Sequence, residues 1–157
     1  MNDKQITILV ASTAGNAAYV ADELGCELES LGWIVRAVRM EEVAVQDLQP
    51  GVYLICSSTY GVGEVPDNGK VFLEALNSRS PDLSGISYGV VGLGDSIYAD
   101  TFCFGSKHFD EQFTRLGAAR IGDILKHDRS SSDEPEDLAI EWLPGWLSLL
   151  NVKLLED

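Results

Sequence analysis

The chain has 157 residues, of which 45% are hydrophobic, and its 11 lysines and arginines against 25 aspartates and glutamates give a formal net charge of −14. That length fits one domain, residues 1–157, with a substantial core. The charge rules against nucleic-acid binding and against anionic membrane surfaces, and the apolar runs are strand-length, short of the roughly 20 residues that cross a bilayer. Met1-Asn2-Asp3-Lys4-Gln5 leads straight into an apolar strand without a secretory segment, so the expected protein is a soluble, cytoplasmic monomer with basic protein partners.

In chain order, β-branched and apolar runs predict strands at Ile6 to Ala11, Ile34 to Val38, Val52 to Ser57, Ser87 to Gly92 and Ala119 to Ile124. The first helix is predicted from the 3,4-spaced stripe Ala17, Val20, Ala21, Leu24, Leu28 and Leu31, closed by Gly32. A second is predicted over Asp67 to Asn77 with Val71, Phe72, Ala75 and Leu76 inward, and a third over Ser106 to Leu116 with Phe109, Phe113 and Leu116 inward, closed by Gly117. The last, about Asp133 to Leu150, has acidic residues in its first turn and Leu138, Trp142, Trp146 and Leu149 on its inner face. Pro144 and Gly145 interrupt it, and the missing N–H of Pro144 predicts a kink or a split there. Strands alternating with helices imply an α/β fold, a parallel sheet covered on both faces, with ligands at the carboxyl ends of its strands.

Cys26, Cys56 and Cys103 form no C-x-x-C pair and read as buried, reduced thiols. A low-molecular-weight phosphatase would need an Arg six residues after its nucleophilic Cys, and those positions hold Gly32, Val62 and Phe109. His108 and His127 read as exposed helix and loop residues, Trp33, Trp142 and Trp146 as core, and Asp128, Asp133, Glu134, Glu136 and Asp137 as a solvated helix start. No metal site and no catalytic side chain is expected.

Three turns stand apart. Ala11-Ser12-Thr13-Ala14-Gly15-Asn16-Ala17 joins the first strand to the first helix through small and hydroxylated residues. A helix N-terminus offers unpaired N–H groups and partial positive charge, so this turn can cradle a phosphate. It contains no Lys or Arg, which argues against a Walker-type nucleotide site, where a Lys reaches the terminal phosphates. The turns after the third and fourth strands, Ser57 to Asn68 and Gly92 to Cys103, each set a Tyr among glycines and small polar residues. Two such rings at one sheet edge suit a flat aromatic ligand.

In S-T-A-G-N-A, T-Y-G-V-G-E-x-P-D-N and G-L-G-D-S-x-Y-x-x-x-F-C the sequence resembles the flavodoxin-like FMN-binding family over nearly its whole length. It is most similar to the short-chain, MioC-type flavodoxins and to the FMN domains of diflavin reductases. The span Ala118 to His127 is too short for the insertion that interrupts the fifth strand of long-chain flavodoxins. The resemblance implies a three-layer sandwich with a five-stranded parallel sheet of order 2-1-3-4-5. It implies FMN as the cofactor, with Ser12, Thr13, Ala14, Gly15, Asn16 and Ala17 around the phosphate. Ala14 and Ala17 stand where many relatives have Thr or Ser, so up to two hydroxyl contacts are missing. Thr59 would lie beside the phosphate and ribityl chain, and Tyr60 and Tyr98 would stack on the inner and outer flavin faces. Gly61, Val62, Gly63, Leu93, Gly94, Asp95, Phe102 and Cys103 would border the ring, and Asp128 matches a polar position near it.

The function implied is a low-potential, single-electron carrier between an NADPH-dependent flavodoxin or ferredoxin reductase and an acceptor redox enzyme, in which the flavin supplies the chemistry. Two alternatives stand beside it. A small FMN-dependent NAD(P)H:quinone oxidoreductase would need room over the flavin face that Tyr98 covers, and a flavin-free binding module would purify colourless.

Overall fold

The computed structural model describes residues 4–11, 16–58, 66–94, 104–128, 132 and 134–156. β1 (Gln5–Ala11), β2 (Ile34–Arg39), β3 (Gly51–Ser57) and β4 (Ile86–Gly94) form a parallel sheet in the order β2-β1-β3-β4. β1 is paired on both sides and its residues face both layers: Ile6, Ile8 and Val10 enter one core, Leu9 and Ala11 the other. A continuous apolar run is what a central parallel strand requires. β2 is an edge, and its exposed Arg36 and Arg39 discourage further strand addition.

The expected fifth strand is broken. β5 (Ala119–Arg120) pairs with Ser87 and Tyr88, and β6 (Leu125–Asp128) pairs with Val91 to Gly94. Between them Gly122 takes a left-handed φ of +71°, which turns the chain out of the ladder at little cost for a residue without a side chain. With the two pieces on one flank of β4, the sheet keeps the 2-1-3-4-5 order.

α1 (Asn16–Ser30) and α4 (Pro135–Glu156) cover one face, and α2 (Asp67–Arg79) and α3 (Phe104–Arg115) cover the other. α1 and α3 stop where predicted: Gly32 and Gly117 have φ of +93° and +102°, and the chain returns through Trp33 N–H to the Leu28 carbonyl and Ala118 N–H to the Phe113 carbonyl, each 3.0 Å. The crossover from β2 to β3 has no α-helix. Two 3-10 turns, Met40–Glu42 and Val45–Asp47, take its place and pack against α2, the first also against β1.

The inner stripes differ from expectation in three places. Leu31 and Val71 are exposed, because α1 ends one residue before Leu31 and because α2 turns Phe72 and Leu76 inward. In α4 the buried residues are Ala139, Leu143, Trp146 and Leu150, with Leu138 and Trp142 half-buried and Leu149 exposed. α4 also runs unbroken through Pro144, so no split occurs. By length and composition alone, Pro135–Leu155, with mean hydropathy 1.2, is long and apolar enough to cross a membrane, although Glu136, Asp137, Glu141 and Lys153 interrupt it. Its inner face packs on the sheet as a core helix does. Cys56 is buried as expected, and burial pushes its thiol up to about 12. Cys26 is exposed, and Cys103 lies outside the described residues.

Candidate functional site

The carboxyl ends of β1, β3 and β4 are brought level by strand register, with Ala11 beside Ser57 and Ser57 beside Gly92. The turns singled out in the sequence leave from these ends. Of the expected ligand residues, Asn16 begins α1, Ala17 is fully buried beneath its first turn, and Leu93 and Gly94 end β4. Ser12, Thr13, Ala14, Gly15, Thr59, Tyr60, Gly61, Val62, Gly63, Asp95, Tyr98, Phe102 and Cys103 lie outside the described residues.

Around these ends the chain is tied down by polar contacts. Ser58 N–H donates to the Ala11 carbonyl at 3.0 Å and continues the β1–β3 pairing one residue past the ladder. Asn68, in the second turn of sequence interest, donates its side-chain amide to the Val10 carbonyl at 3.1 Å, fastening the start of α2 to the end of β1. Ser57 and Ser58 are buried, and the Ser57 hydroxyl donates to the Ser58 carbonyl at 2.9 Å. None of these three residues was assigned a role from sequence. For Ser57 and Ser58 the available signal was their polarity at the end of an otherwise apolar strand.

The first turn of α1 carries no acidic residue, so its N-terminal dipole is left for an external anion. Further along, carboxylates gather. Glu23 first, then Glu136, raise the exposed Tyr19 phenol above its ordinary range, with Asp137 adding to the effect. Acidic charge therefore gathers around Tyr19, on α1 and the start of α4, and is absent from the first turn of α1.

Asp128 is half-buried and pairs in register with Gly94, so it stands at the root of the turn that carries Tyr98. His127 corrects the sequence expectation. It is buried at 7% exposure on β6, opposite Leu93, and not on an exposed loop. Its neighbour two residues back, Leu125, packs on the same core, and that alternation was the available signal.

The Flavodoxin family profile matches residues 8–142. Protein MioC of Escherichia coli (strain K12) is 39% identical over 146 residues, covering 92% of this chain and 97% of that protein. The sulfite reductase [NADPH] flavoprotein alpha-component of Bacillus subtilis is also 39% identical, over 150 residues, which are 94% of this chain and 24% of that one. Among solved structures, a cysteine-to-alanine mutant of flavodoxin from Pseudomonas aeruginosa superposes with a TM-score of 0.81 at 33% identity, covering 94% of this chain and 99% of the other.

Proposed function

The chain belongs to the flavodoxin family of FMN-binding electron-transfer proteins, and from that premise we propose that residues 1–157 form a single-domain, cytoplasmic, one-electron carrier working at low potential. Its donor in this reading is an NADPH-dependent reductase of the flavodoxin or ferredoxin type, and its acceptor is another redox enzyme. The observation that carries the reading is the convergence of three strand ends at one sheet edge, each feeding a turn of the expected composition.

The described residues fit the cofactor. A helix whose first turn is free of carboxylates follows β1, and Ala17 in that turn is buried and small, so its side chain would not stand between the backbone and a phosphate. Ser12, Thr13, Gly15, Asn16 and Ala17 would hold that phosphate through hydroxyls and N–H groups, with no cation. Tyr60 and Tyr98 would exclude water from the two ring faces. The Gly61 carbonyl would accept a hydrogen bond from a protonated flavin N5 after a peptide rotation, which Gly permits because positive φ costs it little. FMN when bound supplies the one-electron chemistry.

Charge supports the low potential. Full reduction makes the ring anionic, and a carboxylate about 10 Å away at an effective dielectric of about 20 opposes that by roughly 1 to 2 kcal/mol before screening. With a net charge of −14, the surface suits basic docking faces, and association should weaken as salt rises.

The test is a redox titration of the FMN-loaded protein, together with addition of NADPH alone. The expected result is two separated one-electron potentials and no bleaching by NADPH until a reductase is added. Rapid bleaching by NADPH alone would make the protein an oxidoreductase in its own right.

A further inference from the structure

A cavity lies away from the carboxyl edge, at the opposite ends of the strands. Because the β2–β3 crossover is made of two 3-10 turns and not a helix, it covers the sheet incompletely and leaves a pocket of about 290 Å³ over the amino-terminal halves of β1, β2 and β3. Nothing in the flavin reading uses it. Its floor is a row of three side chains set across the sheet by register, Arg36 on β2, Thr7 on β1 and Tyr53 on β3. Leu9 and Val38, one step along the same strands, form the apolar part of the floor, and Glu42 and Asp47 line the pocket from the crossover.

The roof is fixed. The Tyr53 hydroxyl donates to the Gln49 carbonyl at 2.7 Å and accepts from the Gln49 N–H at 3.2 Å, which staples the crossover to β3. The charges are not mutually satisfied. Among the described residues Arg36 makes no ion pair, and neither Glu42 nor Asp47 does. Arg36, Glu42 and Asp47 are exposed, so water serves their charges when the pocket is empty, and a ligand that carries both signs can meet both sides at once. A simple anion would be repelled by the net charge of −14, whereas a ligand of zero net charge is not.

We propose that this pocket binds a small zwitterion of the α-amino-acid type, its carboxylate against Arg36 and Thr7, its ammonium toward Glu42 and Asp47, and a short apolar side chain over Leu9 and Val38. The volume, near the lower limit of small-molecule sites, restricts the ligand to roughly ten heavy atoms. The guanidinium fork matches a carboxylate in two places, which a lysine could not do.

The test is an amide NMR titration of the oxidised, FMN-loaded protein with L-leucine, and in parallel with isovalerate and isopentylamine, which each carry one of its two charges. The expected result is saturable shifts at Thr7, Arg36, Val43 and Asp47 with leucine, and binding at least about ten-fold weaker with either singly charged analogue. Arg36→Gln should weaken leucine binding about ten-fold or more, and Arg36→Lys, which keeps the charge on the edge strand, several-fold. Shifts that fail to saturate by about 20 mM leucine, saturating shifts confined elsewhere, equal binding of isovalerate, or unchanged affinity in a folded Arg36 variant would overturn the proposal. Since the pocket is separate from the carboxyl edge, its failure would leave the flavin reading untouched.

Discussion

Two consecutive residues of β4 face opposite layers and join them by opposite means. Gly89 presents no side chain, and the Trp146 indole of α4 lies directly against its backbone. Tyr88 reaches the other way, into the layer of α3, where its hydroxyl meets the Asp110 carboxylate at 2.7 Å and Thr114 Oγ1 at 2.8 Å. Asp110 in turn pairs with Arg120 of β5 at 2.7 Å. One side of the strand is held by shape and the other by a polar network. The difference teaches that a parallel strand apolar on both faces can still divide its labour residue by residue.

The shape side should break hardest. A methyl at Gly89 would come within 2.6 Å of Trp146 Cε2, and neither a central strand nor a buried indole yields cheaply. Gly89→Ala should therefore lower stability by about 3 kcal/mol in urea denaturation. Combining it with Trp146→Phe should give less than the sum of the two losses, because they share one contact. Full additivity would mean that the indole does not fill the space left by Gly89.

The polar side should yield less. Tyr88→Phe removes a hydrogen bond to a carboxylate and should cost about 2 kcal/mol, with Asp110 keeping Arg120 as its partner. Burial, before any other influence, holds the Tyr88 phenol above its ordinary range, so the network is formed with the neutral phenol.

An effect seen only at alkaline pH marks a third residue of the same sheet. Cys56 on β3 keeps its proton in the folded state up to about 12, whereas its ordinary value is 9.0. The stabilisation is complete below that ordinary value and is lost as pH rises toward the folded one, because the unfolded chain has then released a proton that the native state retains. Between these limits stability should fall by about 1 kcal/mol per pH unit through this group. Cys56→Ala should make the alkaline dependence of the denaturation midpoint shallower by about one proton. An unchanged slope would show that the thiol ionises equally in both states.

How much of this was legible follows from how unique each pattern is. α1 could be read because its apolar stripe has one phase and Gly32 ends it. α4 could not be phased, since Leu138, Ala139, Ile140, Trp142 and Leu143 place apolar residues nearly all round the helix. Small Ala139 then wins the inner position at the sheet. The break in the fifth strand turns on the left-handed φ of Gly122, and a lone Gly in an alternating run gives no clue to its hand. The contact of Trp146 with Gly89 is a match of volumes between distant segments, which no local periodicity encodes. At the site, the strand ends and the start of α1 were legible from composition. The identity of the ligand came from the motifs, and the burial of His127 was signalled only by its two-residue spacing from Leu125.

The most direct measurement is a titration of FMN fluorescence with apoprotein, for the wild type and the double variant Tyr60→Ala/Tyr98→Ala. If the flavin is sandwiched between those rings, the wild type should quench nearly all of its emission at a one-to-one ratio. The variant should bind more weakly through the phosphate turn and leave the bound flavin emissive. Full quenching with unchanged affinity in the double variant would contradict the account.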